Sequence, residues 1–119
     1  MPGQRDEPIS VPEIGPLDAA ELIAGGAYLL DVREPEEWQA GRAKSAHHIP
    51  LGELGARYGE IPPESTVVVC CRSGGRSAMA AAGLIPLGYD ARNLAGGMQA
   101  WEKAGLLLVD EKGARGVVA

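Results

Sequence analysis

The chain contains no phenylalanine, and aromatic residues of any kind make up only 4% of its 119 positions. Trp38, Trp101 and Met98 are therefore read as core or pocket-wall residues. Cysteine is equally sparse: the two present, Cys70 and Cys71, are neighbours and cannot staple distant parts of a fold. Long apolar runs are missing, since nothing approaches the ~20 residues that a membrane helix needs. The opening residues MPGQRDEPIS have no apolar segment of the secretory type. These absences predict a cytoplasmic protein with free thiols in a reducing compartment, not membrane-bound. Positive charge is the last shortage. Lysine and arginine total 11 against 16 acids, a net charge of −5, which speaks against nucleic acid as a partner. Any preference for anions must be local.

What is present is an ordinary globular composition, 45% hydrophobic and 23% charged, in a length suited to one domain. No internal repeat or low-complexity linker divides it. Residues 1–8 are polar and predicted to form a flexible tail. Ile9-Ser10-Val11 is predicted as a short strand stopped by Pro12. A helix follows over Leu17–Ala24, with Leu17, Ala20, Ile23 and Ala24 on one face and Gly25-Gly26 ending it. Tyr28–Val32 reads as a buried strand. Glu34-Pro35-Glu36-Glu37 reads as the solvated opening of a short helix. His47–Ile49 is a further strand, closed by Pro50, and Leu51–Tyr58 a weaker helical segment. Thr66–Cys70, with three successive valines, is the strongest strand. Ser77–Leu87 is predicted helical, ended or kinked by Pro86. Ala91–Leu94 is the last strand, and Gly96-Gly97 turns into a helix over Met98–Ala104, which Gly105 closes. Residues 109–119 are expected to form a flexible C-terminal tail.

Strands and helices joined by short connections define an α/β domain over residues 9–108, with a mainly parallel sheet covered by helices on both faces. In such sheets ligands bind outside the carboxyl ends of the strands, and Cys71 falls at the carboxyl end of the strongest one.

The segment CRSGGRS, Cys71–Ser77, sits between that strand and the following helix. A thiol there faces backbone N–H groups and the positive end of a helix, both of which favour the reactive thiolate. Gly74 and Gly75 permit positive φ, so that successive N–H groups can converge on the sulfur. Arg76 is suited to brace the loop, and Arg72 to point outward toward an incoming anion. Ser73 and Ser77 can donate to the rim, and Ser77 is a good helix N-cap. Cys70 points to the opposite side of the strand and reads as inert packing. His47 and His48 are adjacent in an extended segment and so face opposite ways; they do not form a chelate with the cysteines, and no metal site is predicted.

Four segments, LLDVREPEEW (29–38), GRAKSAHHIPLGEL (41–54), VVVCCRSGGRSAMAA (67–81) and GYDARNLAGGMQAW (88–101), resemble the rhodanese-like single-domain sulfurtransferases in order and spacing. The resemblance implies a rhodanese-like three-layer domain around a central five-stranded, mainly parallel sheet. It implies that Cys71 is the sulfur-accepting nucleophile and that Arg72, Ser73, Gly74, Gly75, Arg76 and Ser77 form the cradle for sulfur and donor anion. Asp31 and Arg33 match a DVR signature that supports the pocket. Gly41-Arg42-Ala43 and Ser45-Ala46 depart from the family's usual Gly-His-Ile and Gly-Ala. The implied reaction moves a sulfane sulfur from thiosulfate or a similar anion to cyanide or a thiol, through a persulfide, in a monomer without a cofactor. Two alternatives stay open: a persulfide carrier or sulfide-sensing module without thiosulfate turnover, and a cysteine phosphatase or arsenate reductase. The second of these uses a related loop one residue longer than the six from Cys71 to Arg76.

Overall fold

Helices and strands alternate as expected in the computed structural model, which describes residues 9–119. The expected N-terminal tail, residues 1–8, lies outside the described residues. In chain order the elements are β1 (Glu13–Ile14), α1 (Pro16–Ala24), β2 (Tyr28–Asp31), α2 (Pro35–Ala40), β3 (His47–His48), α3 (Leu54–Arg57), β4 (Thr66–Cys70), α4 (Gly75–Leu84), β5 (Asp90–Leu94) and α5 (Gly97–Lys103). The strands form one sheet in the order β1-β5-β4-β2-β3, with every neighbouring pair parallel.

The three valines put β4 at the centre. Val67, Val68 and Val69 are all fully buried, as a strand covered on both faces must be. Alternation along the strand sends successive side chains into different layers. Val67, Val69 and Cys71 join Leu30 and Val32 against Leu54 of α3 and Ala80, Ala81 and Leu84 of α4. Val68 and Cys70 join Leu29 and Leu94 against Ala19 of α1 and Met98 and Trp101 of α5. The two cysteines thus belong to opposite cores. Among the described residues no helix is long and apolar enough to cross a membrane.

The first strand is β1, after Pro12, and not Ile9–Val11. The Pro12 carbonyl accepts the Asn93 N–H at 2.8 Å, so the proline leads into an edge strand and does not end one. In α1 the packed residues are Ala19, Ala20, Leu22 and Ile23, whereas Leu17 is 62% exposed. α4 begins at Gly75, two residues before the predicted start, because Gly74 is left-handed (φ 111°) and serves as N-cap. Ser77 is therefore inside the first turn and is not the cap. Pro86 tightens the end of this helix into a 3-10 turn over Ile85–Leu87. Residues 109–119, expected to form a flexible tail, are laid back over the body. Val109 forms antiparallel bridges with Arg42 and Arg115, and the Val117 N–H donates to the Ala40 carbonyl at 3.0 Å. These are main-chain bonds, which side-chain polarity does not reveal.

Candidate active site

The carboxyl ends of β2, β4 and β5 are followed by the amino ends of α2, α4 and α5, and the cysteine loop lies among them. Of the two loop glycines only Gly74 has positive φ; Gly75 takes ordinary helical backbone with open space where a side chain would be. The turn at Gly74 brings the first N–H groups of α4, which have no partner within the helix, onto the sulfur of Cys71. The Gly74 N–H donates to Sγ at 3.1 Å and the Ser77 N–H at 3.4 Å, with Ser77 Oγ at 3.2 Å. Cys71 is only 1% exposed, yet its sulfur faces these donors. Burial pushes the thiol up, but the Ser77 hydroxyl and the amides of Ser77, Gly74 and Ser73 outweigh it and hold Cys71 below the ordinary thiol value.

One residue earlier the balance reverses. Cys70 is fully buried, and burial, followed by the Asp31 carboxylate, pushes its thiol well up, with Arg33 only partly opposing. It is kept neutral.

Arg76 braces the loop as expected, and its partner is Glu37 of α2. The two make a bidentate pair, Nη1–Oε1 at 2.7 Å and Nη2–Oε2 at 2.9 Å. Glu37 is no solvated helix start: hydrogen bonds from Arg76 are the main reason its carboxyl is lowered to about 2, against opposing burial. Its Oε1 also accepts the Glu34 N–H at 2.9 Å, completing a capping box. α2 is held in turn by Arg33, which is fully buried with Asp31. Arg33 Nη2 donates to Asp31 Oδ2 at 2.7 Å and to the Gly41 carbonyl at 2.8 Å. The DVR residues thus support the loop through α2.

Arg72 does not project freely. Its Nε donates to the Ala119 carbonyl at 2.9 Å, and with the Gln99 amide oxygen turned toward it, Nη1 and Nη2 donate at 3.0 and 3.2 Å. Ser73 beside it is exposed.

Beneath the loop, the amino end of α5 receives its carbonyls. The Met98 N–H donates to Cys71 O at 2.8 Å and the Gln99 N–H to Arg72 O at 3.0 Å. Gly97 (φ 61°) makes this approach possible, since a Cβ there would come within 2.6 Å of the Cys71 and Arg72 backbone. Asn93 of β5 closes the floor, donating from Nδ2 to the Gly74 carbonyl and to Glu13 Oε2, both at 3.0 Å.

From sequence alone Glu37 reads only as part of a solvated helix start and Gly97 only as part of a helix-entry turn, and Asn93 is passed over. The E-x-x-E spacing of Glu34 and Glu37 is a capping-box pattern, and a polar Asn93 inside an otherwise buried strand end is a second usable sign. His47 stacks on Tyr28 at 4.1 Å and His48 on Trp38 at 4.6 Å between centroids. Among the described residues no three His, Cys, Asp or Glu side chains gather as metal ligands. A cleft of about 810 Å³ between the C-terminal segment and the body, lined by residues such as Arg42, Asp110 and Arg115, shares no residue with the cysteine loop.

A family model described as a rhodanese-like domain matches residues 16–104. A protein of Allochromatium vinosum named sulfurtransferase is 41% identical over 86 residues, covering 71% of this chain and 80% of its own. The crystal structure of a rhodanese-related protein from Thermoplasma volcanium superposes with a TM-score of 0.80 at 33% identity, covering 84% of this chain and 99% of that one. That of reduced CoADR-RHD from Bacillus anthracis gives 0.74 at 34% identity; the match covers 76% of this chain but only 16% of that longer protein.

Proposed function

Because the chain belongs to the rhodanese-like domain family, we propose that it is a sulfurtransferase carrying a sulfane sulfur as a persulfide on Cys71. The observation that supports this most is the cradle itself: two backbone N–H groups and one hydroxyl within 3.4 Å of a single sulfur. Such donors stabilise negative charge wherever it sits on the cysteine during transfer.

The thiolate attacks the outer sulfur of thiosulfate or a similar anion. A bond forms between Sγ and that sulfur, the donor S–S bond breaks, and sulfite leaves with the electron pair. A thiophilic acceptor, cyanide or a thiol, then attacks the terminal sulfur. The persulfide bond breaks and the thiolate of Cys71 is restored with its electron pair. Neither step asks for a metal or an organic cofactor, because both leaving groups are stable anions. Arg72 at the rim offsets the meeting of two anions, Arg76 holds the loop in place through Glu37, and Ser73, Gly74, Gly75 and Ser77 complete the cradle.

A phosphatase reading is weaker. The loop counts six residues from Cys71 to Arg76, short for a tetrahedral oxyanion, and the fork of Arg76 is already occupied by Glu37.

Mass spectrometry of the protein after thiosulfate, then cyanide, tests the reading. A gain of one sulfur on the Cys71 peptide, removed by cyanide, is expected. No gain from either thiosulfate or a thiol persulfide, or an equal gain in Cys71→Ser, contradicts it. Uptake from a protein or thiol persulfide but not from thiosulfate would place the chain among carriers.

A further inference from the structure

Ser77 Oγ lies 3.2 Å from Cys71 Sγ and 2.5 Å from Asn93 Oδ1, and it has a single proton to donate. The Asn93 amide cannot turn to relieve this. Its Nδ2 already serves two acceptors, the Gly74 carbonyl and Glu13 Oε2, so Oδ1 must face the hydroxyl. Ser77 is fully buried and Asn93 is 3% exposed, which leaves no ready alternative partner for either group.

We propose that Asn93 is a positioning residue that competes with Cys71 for the Ser77 proton, making Ser77 a hydroxyl switch set by the charge on Sγ. This rests on the sulfurtransferase reading for its purpose, though not for its test. With a neutral thiol, S–H donates to Oγ and O–H to Asn93, and every group is satisfied. With a thiolate, the hydroxyl either turns to the sulfur and leaves two oxygens facing each other, or stays on Asn93 and leaves the sulfur with amides alone. Ionisation therefore costs one hydrogen bond that a site without Asn93 would keep.

The same competition follows the reaction. When Sγ becomes the inner atom of a persulfide it is uncharged, and the hydroxyl returns to Asn93. When the terminal sulfur departs, the hydroxyl turns back to stabilise the thiolate being released. Asn93 thus narrows the difference between the empty and loaded states.

Other charges face the sulfur independently of this switch. Arg76 of α4 is held by Glu37 of α2, and Cys70 lies behind on β4 near Asp31 and Arg33. Arg72 belongs to the loop itself, and Glu13 of β1 acts through the Asn93 amide. A double-mutant cycle separates them, because only the switch requires the Ser77 hydroxyl.

The experiment is titration of the Cys71 thiolate by its ultraviolet absorbance, taken as the difference from Cys71→Ser. Near-isosteric Asn93→Leu is measured with Ser77 present and in Ser77→Ala. The midpoint is expected to fall by about half to one pH unit with Ser77 present, the worth of one hydrogen bond, and to stay put in Ser77→Ala. An equal shift in both backgrounds, a rise, or no shift in either overturns the proposal. If Asn93→Leu does not fold, Glu13→Ala on the exposed edge strand weakens the hold on the amide. Measured in high salt to screen the lost charge, it should give a smaller fall that again requires Ser77; any other pattern overturns the proposal. Persulfide formation plays no part in the readout, so failure of the switch and failure of the sulfurtransferase reading are separate results.

Discussion

Cys70 and Cys71 are joined by one peptide bond, yet they sit in different chemical worlds. Strand alternation sends Cys70 into the layer under α1 and α5, where it meets apolar side chains and the Asp31 carboxylate. Cys71 is sent the other way and lies at the first point where the chain leaves the sheet. There it collects the free amides at the start of α4. Both residues are almost wholly buried, at 0% and 1% exposure, so exposure does not distinguish them. What distinguishes them is the lining. Burial against carbon and a carboxylate suppresses a thiolate, whereas burial against N–H donors supports one.

The largest expected contrast is in sulfur uptake. Cys71→Ser should abolish it, and Cys70→Ser, whose hydroxyl can replace the thiol beside Asp31, should keep it within about threefold, a difference worth less than ~1 kcal/mol. Uptake lost in both variants would mean that the two thiols act together.

A second contrast concerns the glycines around the loop. Gly97→Ala forces a left-handed alanine and drives its Cβ into the loop backbone, and should cost more than about 2 kcal/mol in denaturant unfolding. Gly75→Ala meets open space in the first turn of a helix and should fall within about 1 kcal/mol of the parent, stabilising if anything. Equal costs would show that α5 does not support the loop as described.

A smaller effect is expected at Glu37→Gln, which exchanges a charge-assisted fork for a neutral contact and loosens Arg76. Sulfur uptake should slow about three- to tenfold, the equivalent of ~1 kcal/mol. The same variant changes the acid response. A carboxyl that moves from 4.5 in the unfolded chain to about 2 in the folded one adds stability that is fully present above 4.5. That stability is lost as the pH falls through that interval toward 2. The parent should therefore lose stability more steeply than Glu37→Gln between those values, and parallel acid limbs would refute the assignment.

The parts of this site that sequence revealed are those encoded locally. Three valines in a row, a cysteine, a glycine turn and an alanine-rich run state β4, the loop and α4 within twenty residues. Even there the sequence suggests Ser77 as the cap whereas Gly74 takes that place, because which of two adjacent glycines adopts positive φ depends on packing against Asn93 and the amino end of α5. The rest is encoded at long range. Asn93 reaches Glu13 across 80 positions, and Arg76 reaches Glu37 across 39. Neither pairing has a periodicity to betray it. The C-terminal segment was opaque for a related reason, since its bonds to Ala40, Arg42 and Leu108 use main-chain groups common to every residue.

The site depends on the different ionisation of two adjacent thiols, and site-mapped alkylation across pH measures it directly. Native protein is exposed to a small electrophile over a range of pH, and each cysteine is then quantified by peptide mass spectrometry. Cys71 should be modified with a midpoint below that of a free thiol, and Cys70 should stay unmodified until the protein is unfolded. Modification of Cys70 first, or of both with one shared midpoint, would contradict the account.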